Sequence, residues 1–316
     1  MINLTYTNYV NVKIRQFFGK YEKSVIFGQN IVSGSRISGL GSELEKIDGV
    51  VTINTTNSEN SLMGLGFGLA LSNVPSLFLM KQHDFALLAL DQLTNTNNLI
   101  RNQDLAAPFI LLFVIMDAGY EGPQASLNSL DEFASLTRSP VYYLSTVEAI
   151  EAAFNKASKP GLHIMALSQK RMKQKTEKSN VKTIEFSECI LYRNSSNNSV
   201  DPVAIIFYGS DPSMVENILS QVNNEKSIHL FLMSQLVAID HNTDLFNEIK
   251  KYNSIFVIDT GKSDIHFSTE TAWRLNEEGI KVKVFQRISN SKWSEVSEDP
   301  IEFTQEQIME QIMRSY

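Results

Sequence analysis

Three stretches of this chain hold side chains able to do chemistry. The first is Ser58-Glu59-Asn60-Ser61-Leu62-Met63-Gly64-Leu65-Gly66-Phe67-Gly68-Leu69-Ala70-Leu71. The strand-like run Val50-Val51-Thr52-Ile53 precedes it, with a polar turn from Asn54 to Asn57 between the two. Glu59 thus stands where a strand hands over to a glycine-rich helix. Open α/β sheets hold ligands at strand carboxyl ends and at the helix starts beside them. On spacing alone a second reading stays open: Ser58 caps the helix and Glu59 complements its positive end. The second stretch, Lys81-Gln82-His83-Asp84-Phe85, follows the strand Leu77 to Met80. It offers an imidazole and an aromatic face, although taken alone Phe85 reads as a core residue and His83 as a polar loop residue. The third, Asp117 to Ser126, follows the strand Phe109 to Ile115 and holds Tyr120, Glu121 and Gln124.

Gly64, Gly66 and Gly68 do not form a dinucleotide fingerprint, because Leu69 stands where its last glycine belongs and no β-α-β unit with an acidic residue about 20 positions on is evident. Gly64 and Gly68 share a helix face, and their cost in helix stability points to close packing rather than phosphate binding.

The elements that must position these residues alternate along the chain. A helix from Thr7 to Tyr21, with Val10, Ile14, Phe17 and Phe18 at helical spacing, takes Thr7 or Asn8 as its cap. The strand Val25-Ile26-Phe27-Gly28 follows. Helices around Ser129 to Leu136 and Thr146 to Ala157 flank the strand Val141 to Leu144, and the strand Leu162 to Leu167 contains a structural His163. These form a first domain, 1–168. Residues 169–200 read as a linker, since Lys170, Arg171, Lys173, Lys175 and Lys178 make a charge run of the kind that is usually solvated. From 201 to 316 a second domain repeats the alternation. Its strands are Val203 to Phe207, Ile228 to Leu232, Ile255 to Ile258 and Val282 to Phe285, and its helices are Pro212 to Val222, Thr243 to Tyr252 and Phe267 to Glu278. Strands alternating with helices predict α/β architecture with mainly parallel sheets, here as two three-layer α/β/α domains. A terminal helix is expected from Thr304 to Met313.

With 316 residues, 43% hydrophobic and 20% charged, the chain can bury two cores. A formal net charge of −7 argues against nucleic-acid binding and gives no membrane-surface signal. The longest apolar run, Pro108 to Met116, falls well short of the ~20 residues a membrane helix needs. The single cysteine, Cys189, and the lack of a secretory signal suit a cytoplasmic protein.

In order and in place, these blocks resemble the transketolase-like branch of thiamine-diphosphate enzymes, in particular the β subunits of 2-oxo acid dehydrogenases and the second half of transketolases. The pair Ser58-Glu59 before a Gly-rich helix resembles the start of the pyrimidine-binding domain. His83-Asp84-Phe85 resembles its aspartate-aromatic loop, and Tyr208-Gly209-Ser210 with Val257-Ile258-Asp259 resembles the carboxy-terminal domain, which serves mainly in dimer assembly. The resemblance implies that Glu59 hydrogen-bonds the cofactor's pyrimidine ring and favours the imino tautomer that removes the thiazolium proton. It implies that Phe85 stacks on that ring, with Leu62 and Gln82 beside it. Burial among Leu62, Met63 and Phe85 would help such a carboxyl keep its proton.

Three positions depart from the family pattern. Gln29-Asn30 replaces an acidic pair after Gly28, and Asp264-Ile265-His266-Phe267-Ser268 replaces glycines before the last helix. Ala125 replaces the histidine that faces substrate, which leaves His83, Tyr120, Glu121 and Gln124 as substitutes. The family's Gly-Asp-Gly metal motif is absent from the sequence. The resemblance therefore implies an α-type partner that binds magnesium and the diphosphate, an α2β2 assembly, and transfer of a two-carbon ketol or acyl unit, or decarboxylation of a 2-oxo acid, on a keto acid or sugar. A catalytically degenerate paralogue with a scaffolding or regulatory role is the alternative that the three departures leave open.

Overall fold

A computed structural model describes residues 4–101, 103, 105–117, 127–193, 202–209, 212–224, 228–286, 307 and 310. The chain divides into two compact units, one of residues 1–127 and 133–178, the other of residues 128–132 and 179–316.

The first unit is built on a six-stranded, wholly parallel sheet. Its strands are β2 (Ser24–Gly28), β3 (Val50–Asn54), β4 (Ser76–Leu79), β5 (Pro108–Ile115), β6 (Val141–Tyr143) and β7 (Gly161–Ser168), in the order β3-β2-β4-β5-β7-β6. A two-residue strand β1 (Leu4–Thr5) pairs antiparallel with β8 (Lys175–Thr176). Strand β5 is buried along its whole length, as a parallel strand covered on both faces must be.

The helix α1 (Tyr6–Phe18) buries Tyr6, Val10, Ile14, Phe17 and Phe18, a stripe at helical spacing. It packs with α6 (Val147–Lys156) on one sheet face, against Ile26, Leu77, Leu79, Ile110, Leu112, Met165 and Leu167. Its cap is Thr5, whose side chain accepts from the Asn8 amide, and not Thr7 or Asn8. The helix begins earlier than its apolar period suggests because Tyr6 is fully buried and donates its hydroxyl to the Leu144 carbonyl.

The other face carries Phe27, Phe78 and Phe109, with the Phe27 and Phe78 rings stacked at 5.1 Å. Helix α2 (Glu59–Leu71) covers it through Met63, Gly66 and Phe67, and Phe67 meets Phe109 edge-on. Here the glycines separate. A β-carbon on Gly66 would lie 2.0 Å from the Phe109 ring, whereas one on Gly68 meets nothing within 4 Å. The close approach belongs to Gly66 against the chain's own sheet. The segment after Phe85 is a broken helix: α3 (His83–Ala86), a 3-10 turn, a π-helical turn at Gln92–Thr96, and α4 (Asn97–Ile100). Helix α5 (Leu130–Thr137) crosses from the short segment 128–132 into the first unit.

The second unit holds a six-stranded mixed sheet in the order β14-β13-β11-β12-β10-β9. Strands β11 (Val203–Tyr208), β12 (Ile228–Met233), β13 (Ser254–Asp259) and β14 (Val282–Gln286) run parallel, joined through helices α7 (Pro212–Asn224), α8 (Asp244–Ile249) and α9 (Phe267–Glu277). Strands β9 (Lys182–Glu185) and β10 (Cys189–Arg193) extend it antiparallel. The stretch 169–200, expected as a connector, thus carries strands, because Cys189, Ile190, Leu191 and Tyr192 are buried. Its basic run is not uniformly solvated either: Arg171 is buried, donates to the Ser145 carbonyl and lies over the Tyr6 ring. Both sheets have the predicted α/β character. Among the described residues no helix is long and apolar enough to cross a membrane. The expected tail helix, Thr304 to Met313, lies outside the described residues save for Gln307 and Glu310.

The two glycines separate experimentally. Gly66→Ala drives a methyl into the Phe109 ring and should destabilise the chain by about 1–3 kcal/mol despite the gain in helix propensity. Gly68→Ala should stabilise it by up to ~1 kcal/mol. Thermal unfolding of both variants checks the pair, and equal effects would contradict the packing described.

Candidate functional site

Strand order decides where the first unit can hold a ligand. From β2 the chain runs outward to β3, then returns to place β4 on the opposite side of β2. The connections leaving the carboxyl ends of β2 and β4 therefore part, and a crevice opens between them, the usual ligand position in open parallel sheets. A cleft of about 220 Å³ lies at these strand ends, lined by Gln29, Asn30, Ile37, Lys81, Gln82, Met116 and Gln169 among others. Its wall is mostly neutral and polar, with the exposed Lys81 as the cation among the lining residues.

Glu59 sits on the same carboxyl edge, one strand over. It is the first residue of α2 and is 5% exposed. Ser58 occupies the cap position but makes no side-chain capping bond, so the bland reading of that pair fails for Ser58. Instead the Gln29 amide donates to Glu59 Oε1 at 3.0 Å. Gln29, which the sequence shows only as a departure from an acidic pair, thus lines the cleft and fixes the carboxylate. One signal could have found it: it directly follows the end of the strand neighbouring β3.

The loop after Gln29 is held firmly. Asn54, the last residue of β3, accepts from the amides of Ile31 and Val32 and donates to Ser33 Oγ. Gly28 admits close backbone approach, since a β-carbon there would lie 2.1 Å from the Leu79 carbonyl oxygen. Arg36, Ile37 and Ser38 all have φ near +50°, and the last two line the cleft. Left-handed backbone is unfavourable by roughly 1–2 kcal/mol per residue, and a β-branched residue there is a true outlier. Such strain is characteristic of binding loops.

The remaining candidates divide. Gln82 lies on the cleft, its amide 3.6 Å from Met116 Sδ. Leu62 and Phe85 are half-buried and do not line the cleft, nor does Glu59. The structure corrects the expectation for His83 as a substrate-facing group. Its ring is fully buried, stacked on Phe113 at 4.8 Å and edge-on to Phe133 at 5.0 Å, and neither ring nitrogen has a hydrogen-bond partner. Burial pushes its pKa down to about 3, so the ring stays neutral and out of reach of solvent. Tyr120, Glu121, Gln124 and Ala125 lie outside the described residues.

On another wall of the cleft, the carboxyl ends of β5 and β7 are tied together. Ser168 Oγ donates to Asp117 Oδ2 at 2.5 Å, and the Lys170 amide donates to Asp117 Oδ1. Asp117 is buried within this network.

No protein-family model matches the sequence, and no curated protein does. Solved structures do match in fold. One, described as a split gene transketolase in an inactive beta4 tetramer, is similar with a TM-score of 0.62 at 14% identity over 93% of this chain and 91% of that one. Another, 2-oxoglutarate:ferredoxin oxidoreductase from Magnetococcus marinus with 2-oxoglutarate, coenzyme A and succinyl-CoA bound, has a TM-score of 0.62 at 11% identity. It is covered over 65% of its length by 99% of this chain. The fold is therefore transketolase-like.

The burial of His83 has a pH consequence. Its folded pKa lies below the ordinary 6.5, so between the two values the unfolded chain binds the proton and the folded chain does not. Its contribution to stability is complete above the unfolded pKa and falls with pH, by up to ~1.4 kcal/mol per unit, towards the folded value. His83→Phe keeps the ring stack and should reduce the stability lost between pH 7 and pH 5 by roughly 2 kcal/mol. Urea unfolding at both pH values measures this, and an unchanged pH dependence would show that His83 is not held neutral.

Proposed function

We propose that this chain is the pyrimidine-binding, β-type subunit of a thiamine-diphosphate-dependent enzyme whose active site is completed by a separate α-type subunit. The observation that carries the reading is Glu59: a buried carboxylate on the carboxyl edge of a parallel sheet, fixed by a neutral amide donor, in a chain whose fold matches transketolase-like β chains.

The residues fit the cofactor's aminopyrimidine end. Gln29 occupies one oxygen of Glu59 and sets its orientation, leaving the carboxyl group to meet a ring nitrogen through its other oxygen. A buried carboxyl group that holds or shares a proton at that point favours the imino form of the ring. Phe85, half-buried in α3 just after β4, offers the face on which a flat heteroaromatic ring stacks. Gln82, on the cleft, and the half-buried Leu62 are the further side chains we assign to the ring. When bound, thiamine diphosphate supplies the nucleophilic carbon that adds to a keto group. This chain's part is to bind, orient and hold the proton at the pyrimidine, while the metal and diphosphate fall to the partner, since the Gly-Asp-Gly motif is missing here. The similar split gene transketolase chain, an inactive beta4 tetramer, supports a chain that needs a partner for activity.

The reaction class follows: transfer of a two-carbon ketol or acyl unit from a keto acid or sugar, or decarboxylation of a 2-oxo acid, in an α2β2 enzyme of the cytoplasm. His83 cannot replace the missing histidine at Ala125, so Tyr120 and Gln124 remain the chain's substrate-facing candidates.

The test uses the chain reconstituted with its α-type partner, thiamine diphosphate and magnesium. Glu59→Gln should slow exchange of the thiazolium proton with deuterated solvent by roughly 100-fold or more, the usual range for losing a positioned acid–base group. Calorimetric cofactor affinity should change far less. Unchanged exchange would overturn the role of Glu59, and tight binding of cofactor and magnesium by the isolated chain would overturn the shared site.

A further inference from the structure

A second group of chemically capable side chains lies in the second unit and is independent of the cofactor assignment. Asp259 ends β13, His266 stands immediately before α9, and Asp131 comes from the segment 128–132 of the same unit. All three are buried, with 3%, 7% and 3% of their surface exposed. One ligand atom from each lies within 4.8 Å of the other two.

The hydrogen bonding of these groups is uneven in an informative way. Asp259 Oδ1 accepts from the Gly261 amide at 2.8 Å, and Asp131 Oδ1 accepts from the Phe267 amide at 2.8 Å. The opposite atoms, Asp259 Oδ2, Asp131 Oδ2 and His266 Nδ1, make no hydrogen bond to any group outside the cluster and converge, with Nδ1 and Asp259 Oδ2 at the ion-pair distance of 3.2 Å. Each carboxylate is thus held by backbone on its outer oxygen and presents its inner one. That is how outer-shell donors orient metal ligands. Space is kept between the three by Gly261. A β-carbon there would stand 3.1 Å from Asp259 Oδ1, 3.5 Å from Asp131 Oδ2 and 3.8 Å from His266 Cε1. The surrounding chain is fixed as well, for the Lys262 amide donates to the Asn128 carbonyl and the Asp264 amide to Glu132 Oε1.

Two buried carboxylates converge here with one imidazole 3.2 Å from Asp259, and a cation shared by all three groups would offset the cost of holding two negative charges together out of water. One imidazole and two carboxylate oxygens form a donor set suited to a divalent transition metal, zinc above all, with a further position for water. We propose that Asp131, Asp259 and His266 form a divalent metal site that pins the segment 128–132 to the turn 259–267. The metal's role is to hold the fold of the second unit, and it takes no part in the chemistry at Glu59.

The experiment uses the full chain, stripped with a chelator and titrated with zinc by calorimetry, with metal content and thermal unfolding as further readouts. The expected result is one equivalent bound and a Tm raised by several degrees at ~100 times the Kd. Asp259→Asn should lose the equivalent and the Tm shift. Because that variant removes a buried group and can fail to fold, Gly261→Ala is the companion. It retains all three ligands, crowds the space between them, and should weaken zinc binding about tenfold or more with an unchanged circular dichroism spectrum. Cobalt(II) in place of zinc should give a visible absorption band that Gly261→Ala alters. No zinc bound by the wild type, or zinc bound equally by both variants, would overturn the site and leave a proton-sharing Asp–His–Asp cluster in its place.

Discussion

The reversal of strand order at β2 is the constraint on which the first unit depends. A parallel sheet must return every strand through a crossover connection, and the choice of side at each return decides where the connections part. Here β3 is added on one side of β2 and β4 on the other. That single choice places the turn after Gly28, the start of α2 and the loop before α3 along one edge. It brings Gln29 to Glu59 although the residues belong to different connections, and it opens the cleft between Gln29 and Gln82.

Packing holds that edge in position. The stacked Phe27 and Phe78 rings and the contact of Phe67 with Phe109 fix α2 on the sheet, with Gly66 allowing the helix to sit directly on an aromatic ring. Glu59 opens this helix, so its place is set by aromatic packing lower down the same element. On the opposite face α1 and α6 bury the aliphatic side. The strain of Arg36 to Ser38 and the bonds from Asn54 then hold the loop whose residues line the cleft. Rigid elements position the site, and a strained loop closes it.

Much of this was legible in the sequence because it is local. The strands at Val25, Val50, Leu77, Phe109, Val141 and Leu162 are apolar runs bounded by turns, and Glu59 is marked by its place between a strand and a glycine-rich helix. What was not legible is tertiary. Nothing local reveals that His83 lies between Phe113 and Phe133, since an imidazole in a polar run looks solvated. Strand β10 is a four-residue apolar run behind a basic stretch, and its burial depends on pairing with β12. The cap of α1 falls at Thr5, ahead of the apolar period, because the burial of Tyr6 sets where the helix begins. Asp131, Asp259 and His266 are scattered along the chain, and only the fold brings their unpartnered atoms together.

The proposed role of Glu59 turns on where the cofactor's ring sits. A crystal structure of the chain with its α-type partner, thiamine diphosphate and magnesium would decide it. The aminopyrimidine ring should lie against Phe85, with a ring nitrogen within hydrogen-bond reach of Glu59, about 2.6–3.2 Å, and Gln29 still bonded to the other carboxylate oxygen. A ring bound elsewhere, with Glu59 left facing Gln29 alone, would contradict it.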